Sequence, residues 1–128
     1  MLVIMRLLDV EKLNVAIKSV FDDKSITLDA KLKFKLLTIM KQLEPHMENI
    51  ATVSDEKIRQ YGVLGETGQY KIDTTDVETF NKYQDEMTAL LNSEVEVNLG
   101  KIKASEIINL NIPARYLVVL YDIIEEDL

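Results

Sequence analysis

The sequence predicts a single, mainly helical domain of α+β class over residues 1–128. A long, kinked amphipathic helix forms an antiparallel hairpin with a later helix, beside a small two- or three-stranded sheet and a C-terminal helix. Three observations carry this prediction. Apolar residues from Leu32 to Tyr61 keep one helical phase. A second helical stripe runs from Val77 to Leu91, beyond a glycine-bearing turn. The period then changes to two over residues 94–99, the mark of a half-buried strand.

The elements follow in chain order. Residues 9–21 read as a first helix, with Leu13, Ala16, Ile17 and Val20 at helical spacing and Asp9 as its cap. Residues 22–25 break the pattern, and Thr27 or Asp29 caps the long helix near 28–61. Its stripe is Leu32, Leu36, Ile39, Met40, Leu43, Met47, Ile50 and Tyr61, and it stays in phase across Pro45. A proline inside a helix removes one hydrogen bond and bends the axis, so a kinked continuous helix is expected. A break near 52–54 is the alternative, since Ser54 followed by Asp55 and Glu56 resembles a new helix start. Gly62 occupies the position where a helix ends on positive φ. Residues 69–72 suit a short strand. Thr75 and Glu78 have capping-box spacing ahead of a helix over 76–92, whose face is Val77, Phe80, Gln84, Met87 and Leu91, widened by Tyr83 and Leu90.

Residues 94–99 form the predicted strand, with Val95 and Val97 inward. Gly100 bends the chain, and residues 101–104 return as a second strand. Residues 69–72 or 1–7 are candidates to join them. The last segment, 113–127, is read as a helix opened by Pro113, with Ala114, Leu117, Tyr121 and Ile124 on one face. Its 116–121 stretch is apolar all round and equally strand-like.

Composition excludes several functions. The hydrophobic fraction of 47% and charged fraction of 29% are those of a folded chain, with a core that needs no staple. The absence of cysteine removes disulfides, thiolate metal sites and a cysteine nucleophile together. A net charge of −7 opposes duplex nucleic-acid binding. Neither a secretion signal nor a membrane span is expected, because Asp9 and Glu11 follow the short apolar start at once. His46, the only histidine, directly follows Pro45, and the carboxylate of Glu48, two residues on, faces elsewhere on a helix, so acid–base or metal chemistry lacks a partner there. Glu94 and Glu96 share a strand face, which solvent exposure explains. Gly62, Gly65 and Gly68 match neither phosphate-loop pattern. No cofactor, no metal and no enzymatic activity are expected.

A series of short blocks adds context. Residues 28–32 (LDAKL) open the long helix and residues 57–62 (KIRQYG) close it. After them come 68–72 (GQYKI), 80–82 (FNK), 90–97 (LLNSEVEV) and 102–107 (IKASEI). Over roughly residues 28–125 this order resembles an uncharacterised family of small proteins encoded by tailed phages and prophages of Gram-positive bacteria. The resemblance implies a phage protein acting in the host cytoplasm, without implying a mechanism. Two functions fit that context. One is a non-enzymatic binding protein that antagonises host defence, by sequestering a small anionic, nucleotide-type signal or by masking a host protein. The other is a structural or head–tail assembly protein of the virion.

Two sets of residues are candidates for contact. For an anionic ligand, Lys31 and Lys35 lie one helical turn apart, while Lys57, Arg59 and Tyr61 stand at the far end of the same helix with Tyr70 close by in sequence. Cations there would hold phosphate, and a tyrosine ring would stack on a base. For a homo-oligomer, a dimer or higher, the candidates are Phe34 and Leu37, which lie off the core stripe, and Tyr116, Val119 and Ile123 of the apolar C-terminal segment.

Overall fold

The computed structural model describes residues 2–128. The chain opens with strand β1 (Leu2–Arg6), which runs directly into helix α1 (Leu7–Asp22). The first helix therefore begins two residues before the expected start. Its N-cap is Arg6, whose side chain makes no capping bond, and not Asp9. Asp9 lies in the first turn and receives the Arg6 guanidinium at 3.1 Å, where the helix dipole also favours a carboxylate. Helix α1 buries Leu7, Val10, Leu13, Ala16, Ile17 and Val20 along one stripe.

Helix α2 (Ala30–Tyr61) is continuous over 32 residues, through both Pro45 and Ser54. Asp29 caps it, accepting the Leu32 N–H at 2.7 Å. Leu32, Leu36, Ile39, Leu43 and Ile50 of the expected stripe are buried, while Met40, Met47 and Tyr61 are half-buried at its margin. Beyond Ile50 the helix has no fully buried residue. Its last turns leave the main core and carry a short hairpin, β2 (Val63–Leu64) with β3 (Tyr70–Lys71). Gly62 has φ −88°, not the expected positive value. Its glycine requirement is steric, since a Cβ there would lie 2.3 Å from the Ile58 carbonyl oxygen. The positive φ, +80°, belongs to Gly68 at the hairpin tip.

Helix α3 (Val77–Asn92) returns antiparallel to the end of α2, completing the helical hairpin. Its cap is Asp76, which accepts the Thr79 N–H. Thr75, the expected capping-box residue, instead donates to Asp73. Helix α3 buries no residue fully; Phe80, Tyr83, Met87, Leu90 and Leu91 are half-buried.

Strand β4 (Glu94–Asn98) pairs antiparallel with β1, from Leu2 opposite Asn98 to Arg6 opposite Glu94. Val97 is buried and Val95 half-buried, and the two glutamates face out, as the period of two requires. The second strand, β5 (Ile102–Lys103), does not pair with β4 as expected. It leads through a single turn, α4 (Ala104–Ile107), and pairs in parallel with β6 (Ile124–Glu125). Among the described residues, three separate two-stranded ladders therefore stand in place of one small sheet. Gly100 is tied to α2, because its N–H donates to Gln42 Oε1 at 2.9 Å, and the chain leaves the β4 line there.

The C-terminal helix is shorter than expected. Helix α5 (Ala114–Leu120) gives way to a 3₁₀ turn (Tyr121–Ile123) and then to β6. The buried residues are Leu120 and Ile123, three apart, and not the expected face through Tyr121, which is exposed. The core lies between α1, the first half of α2, the inner face of β1–β4, β5 and the α5 segment. No helix among the described residues is long and apolar enough to cross a membrane.

Candidate functional site

The two expected cation clusters are assembled differently from the way the sequence suggests. Lys31 and Lys35 share the first turns of α2, but Lys35 already has an anion. Its Nζ donates to Glu106 Oε1 at 2.6 Å, and the pair is only 28% and 17% exposed. Glu106 also accepts the Lys103 N–H at 3.1 Å. The Lys35 hydrogen bond is the first cause that holds the Glu106 carboxyl below its usual range, with the Lys103 amide second. The ion pair fastens α4 to α2 and leaves Lys31, which is exposed, as the solvent-facing cation of the two.

At the far end of α2 the expected residues divide between two faces. Lys57 and Tyr61 turn toward α3. The Tyr61 hydroxyl donates to Glu86 Oε1 at 3.1 Å, and Lys57 Nζ lies 3.1 Å from Glu86 Oε2. Oε2 is enclosed and accepts no aligned hydrogen bond, so the contact with Lys57 is one of charge rather than of geometry. Desolvation, followed by the bond to Glu86, raises the Tyr61 pKa. These two side chains hold the helical hairpin together and are not presented to a ligand.

Arg59 and Tyr70 are brought together. They line an open depression of about 340 Å³ with Asp55, Ile58, Gly68 and Gln69, where the β2–β3 tip meets α2. Arg59 is paired there with Asp55 at 3.2 Å, one helical turn away, and both are exposed. Exposed pairs of this kind contribute little and exchange readily with solvent ions. The depression thus offers one guanidinium and one ring, with a carboxylate competing for the guanidinium.

The apolar candidates also separate. Phe34 and Leu37 are 72% and 51% exposed, on the side of α2 away from the core. Leu37 continues into a shallow groove between α1 and α2, floored by Met40 and Met47 and flanked by Lys18 and Glu44. Tyr116 and Val119 line a cleft of about 420 Å³ between α1 and α5, opposite Val15 and Ala16, with the Arg115 guanidinium 4.6 Å above the Tyr116 ring. Ile123 corrects the expected interface set: it is wholly buried in the core and belongs to no surface. The α1–α5 cleft escapes sequence analysis because its walls are 100 residues apart. The amphipathic margin at Val15 and Ser19 is its only local trace.

His46 is half-buried, and Glu94 and Glu96 lie on the solvent face of β4. Among the described residues, no group of three or more histidine, aspartate or glutamate side chains is placed to hold a metal ion. No family model, no curated protein and no solved structure matches this chain.

Proposed function

We propose that this chain acts by binding rather than by catalysis, as a phage-encoded protein that masks a protein of the host in its cytoplasm. The phage and host-defence context rests on the ordered blocks between Leu28 and Ile107 described above. The choice of a protein partner over a small anion rests on one observation. Three of the four cations that the sequence offers for phosphate already face a carboxylate: Lys35 faces Glu106, Lys57 faces Glu86 and Arg59 faces Asp55. A phosphate would have to displace those carboxylates on a chain of net charge −7. Large apolar side chains, by contrast, stand free on several faces, Phe34 and Val118 among them. Such surfaces suit protein contact.

Sequestration of a nucleotide-type signal is the second reading, carried by the depression that joins Arg59 to Tyr70. Thermal denaturation against a panel of mono-, di- and cyclic nucleotides separates the two. The masking reading expects no nucleotide to raise the melting temperature. A rise that grows with ligand concentration and disappears in Arg59→Ala would overturn it in favour of sequestration. Recovery of the chain in purified virions would overturn both in favour of an assembly role.

A further inference from the structure

The β1–β4 ladder has two open edges of unlike character. Its hydrogen-bond phase follows from one contact: the Leu7 N–H donates to the Ser93 carbonyl at 2.9 Å, continuing the register of the ladder. In an antiparallel pair, hydrogen-bonded and non-bonded residue pairs alternate. Met5 with Val95 and Val3 with Val97 are therefore the bonded pairs. Leu2, Ile4 and Arg6 turn their backbone N–H and C=O groups away from β4. Among the described residues no backbone bond from outside the ladder reaches the Leu2 and Ile4 groups or the Arg6 N–H, while the Arg6 carbonyl, as the N-cap of α1, serves the first turn of that helix.

The side chains on that strand do not guard it. Leu2 and Ile4 are 68% and 66% exposed, and the one charge, Arg6, stands at the end and is engaged by Asp9. Native edges are ordinarily protected by a central charge, a proline or a bulge. The β4 edge has such protection in Glu94 and Glu96. Pairing β4 with a second β4 about Glu96 would set two carboxylates side by side, a destabilising arrangement.

We propose that β1 is a self-association edge, occupied by β1 of a second copy of this chain. Its outward groups are self-complementary about Ile4. A two-fold axis there pairs Ile4 with Ile4 and Leu2 with Arg6. The Ile4 N–H of each copy donates to the Ile4 carbonyl of the other, and each Arg6 N–H donates to a Leu2 carbonyl. No like charges meet, because each Arg6 stands opposite a leucine. On the outer face the two Ile4 side chains cover one another, and on the inner face Val3 comes beside Met5 of the second copy. The product is a closed four-stranded antiparallel sheet, in which the guarded β4 strands become the edges. An isologous contact of this kind stops at two copies. This inference rests on the sheet edge alone and is independent of the masking reading.

Light scattering across a concentration series, on the full chain, tests it. The wild type is expected to approach twice the 14.7 kDa chain mass and to dissociate on dilution. Ile4→Pro removes an N–H that the β1–β4 ladder does not use, so the fold is expected to persist while the mass returns to that of one chain. Ile4→Lys, which sets two ammonium groups face to face, provides a second variant if the proline disturbs β1. A wild type that stays monomeric throughout overturns the proposal. So does a dimer that survives both Ile4 variants but is lost in Phe34→Ser, or a mass that rises without limit, which would mean β1 pairing with β4 in an open chain.

Discussion

Replacing Glu106 by glutamine tests whether the Lys35 ammonium group is structural or available to a ligand. The pair closes a contact between residues 71 apart in sequence, at 2.6 Å, with about three-quarters or more of each side chain shielded from water. Exposed pairs couple by ~0.2–1 kcal/mol. Removing one partner of a fully buried pair costs ~3–5 kcal/mol. Partial burial places the cost of Glu106→Gln at about 2 kcal/mol, part of it from the weakened bond to the Lys103 amide. A double-mutant cycle with Lys35→Met, read by urea denaturation, is expected to give a coupling of about 1–1.5 kcal/mol. The acid limb carries the same signature. The folded Glu106 pKa is depressed, so its contribution is fully present above the unfolded value near ~4.3 and is lost as pH falls through the lower folded value. The glutamine variant should therefore lose less stability than the wild type over that acid window. A coupling below about 0.3 kcal/mol, with unchanged acid limbs, would refute the structural assignment and return Lys35 to the pool of ligand-binding cations.

Two further predictions compare positions within the chain. Gly62→Ala should destabilise by ~2 kcal/mol or more, because the added methyl meets the Ile58 carbonyl oxygen at 2.3 Å, whereas Gly68→Ala, with open space around it and φ +80°, should cost only ~1 kcal/mol; equal midpoints in urea would contradict that order. Leu43→Ala, at a wholly buried position on α2, should cost ~3–4 kcal/mol, while Phe34→Ser on the opposite side of the same helix should change the stability of the single chain by under ~0.5 kcal/mol; thermal melts at low protein concentration distinguish them.

The elements that depend on local periodicity were legible in the sequence. The stripe from Leu32 to Ile50 specifies which face of α2 is buried, and its unbroken phase across Pro45 matches a helix that continues through the proline. The alternation at Val95 and Val97 likewise orients β4. Pairing was not legible, because the partner of a short strand is chosen by tertiary packing. Residues 102 and 103 carry no mark that distinguishes a return beside β4 from a parallel match with Ile124 and Glu125. The candidate cations show the same limit. Helical spacing puts Lys57 and Arg59 close along the chain, but residues two apart point to different faces, one toward Glu86 and the other toward Asp55. Glu106, the partner of Lys35, lies too far along the chain for any spacing rule to find.

The strand pairings have a consequence for the timing of folding. Strand β1 is synthesised well before its partner residues, 94–98. Strand β5 waits for Ile124 and Glu125. At synthesis rates of ~5–20 residues per second, the apolar Leu2–Met5 stretch remains unpaired for roughly 5–20 seconds. Helices α1 and α2 can dock in that interval, since their contacts are local, but the β1–β4 ladder cannot close before residue 98 is made, nor the β5–β6 ladder before residue 125. Nascent chains are therefore most prone to aggregate or to engage chaperones through residues 2–5, and deletion of residues 124–128 would leave β5 without its ladder.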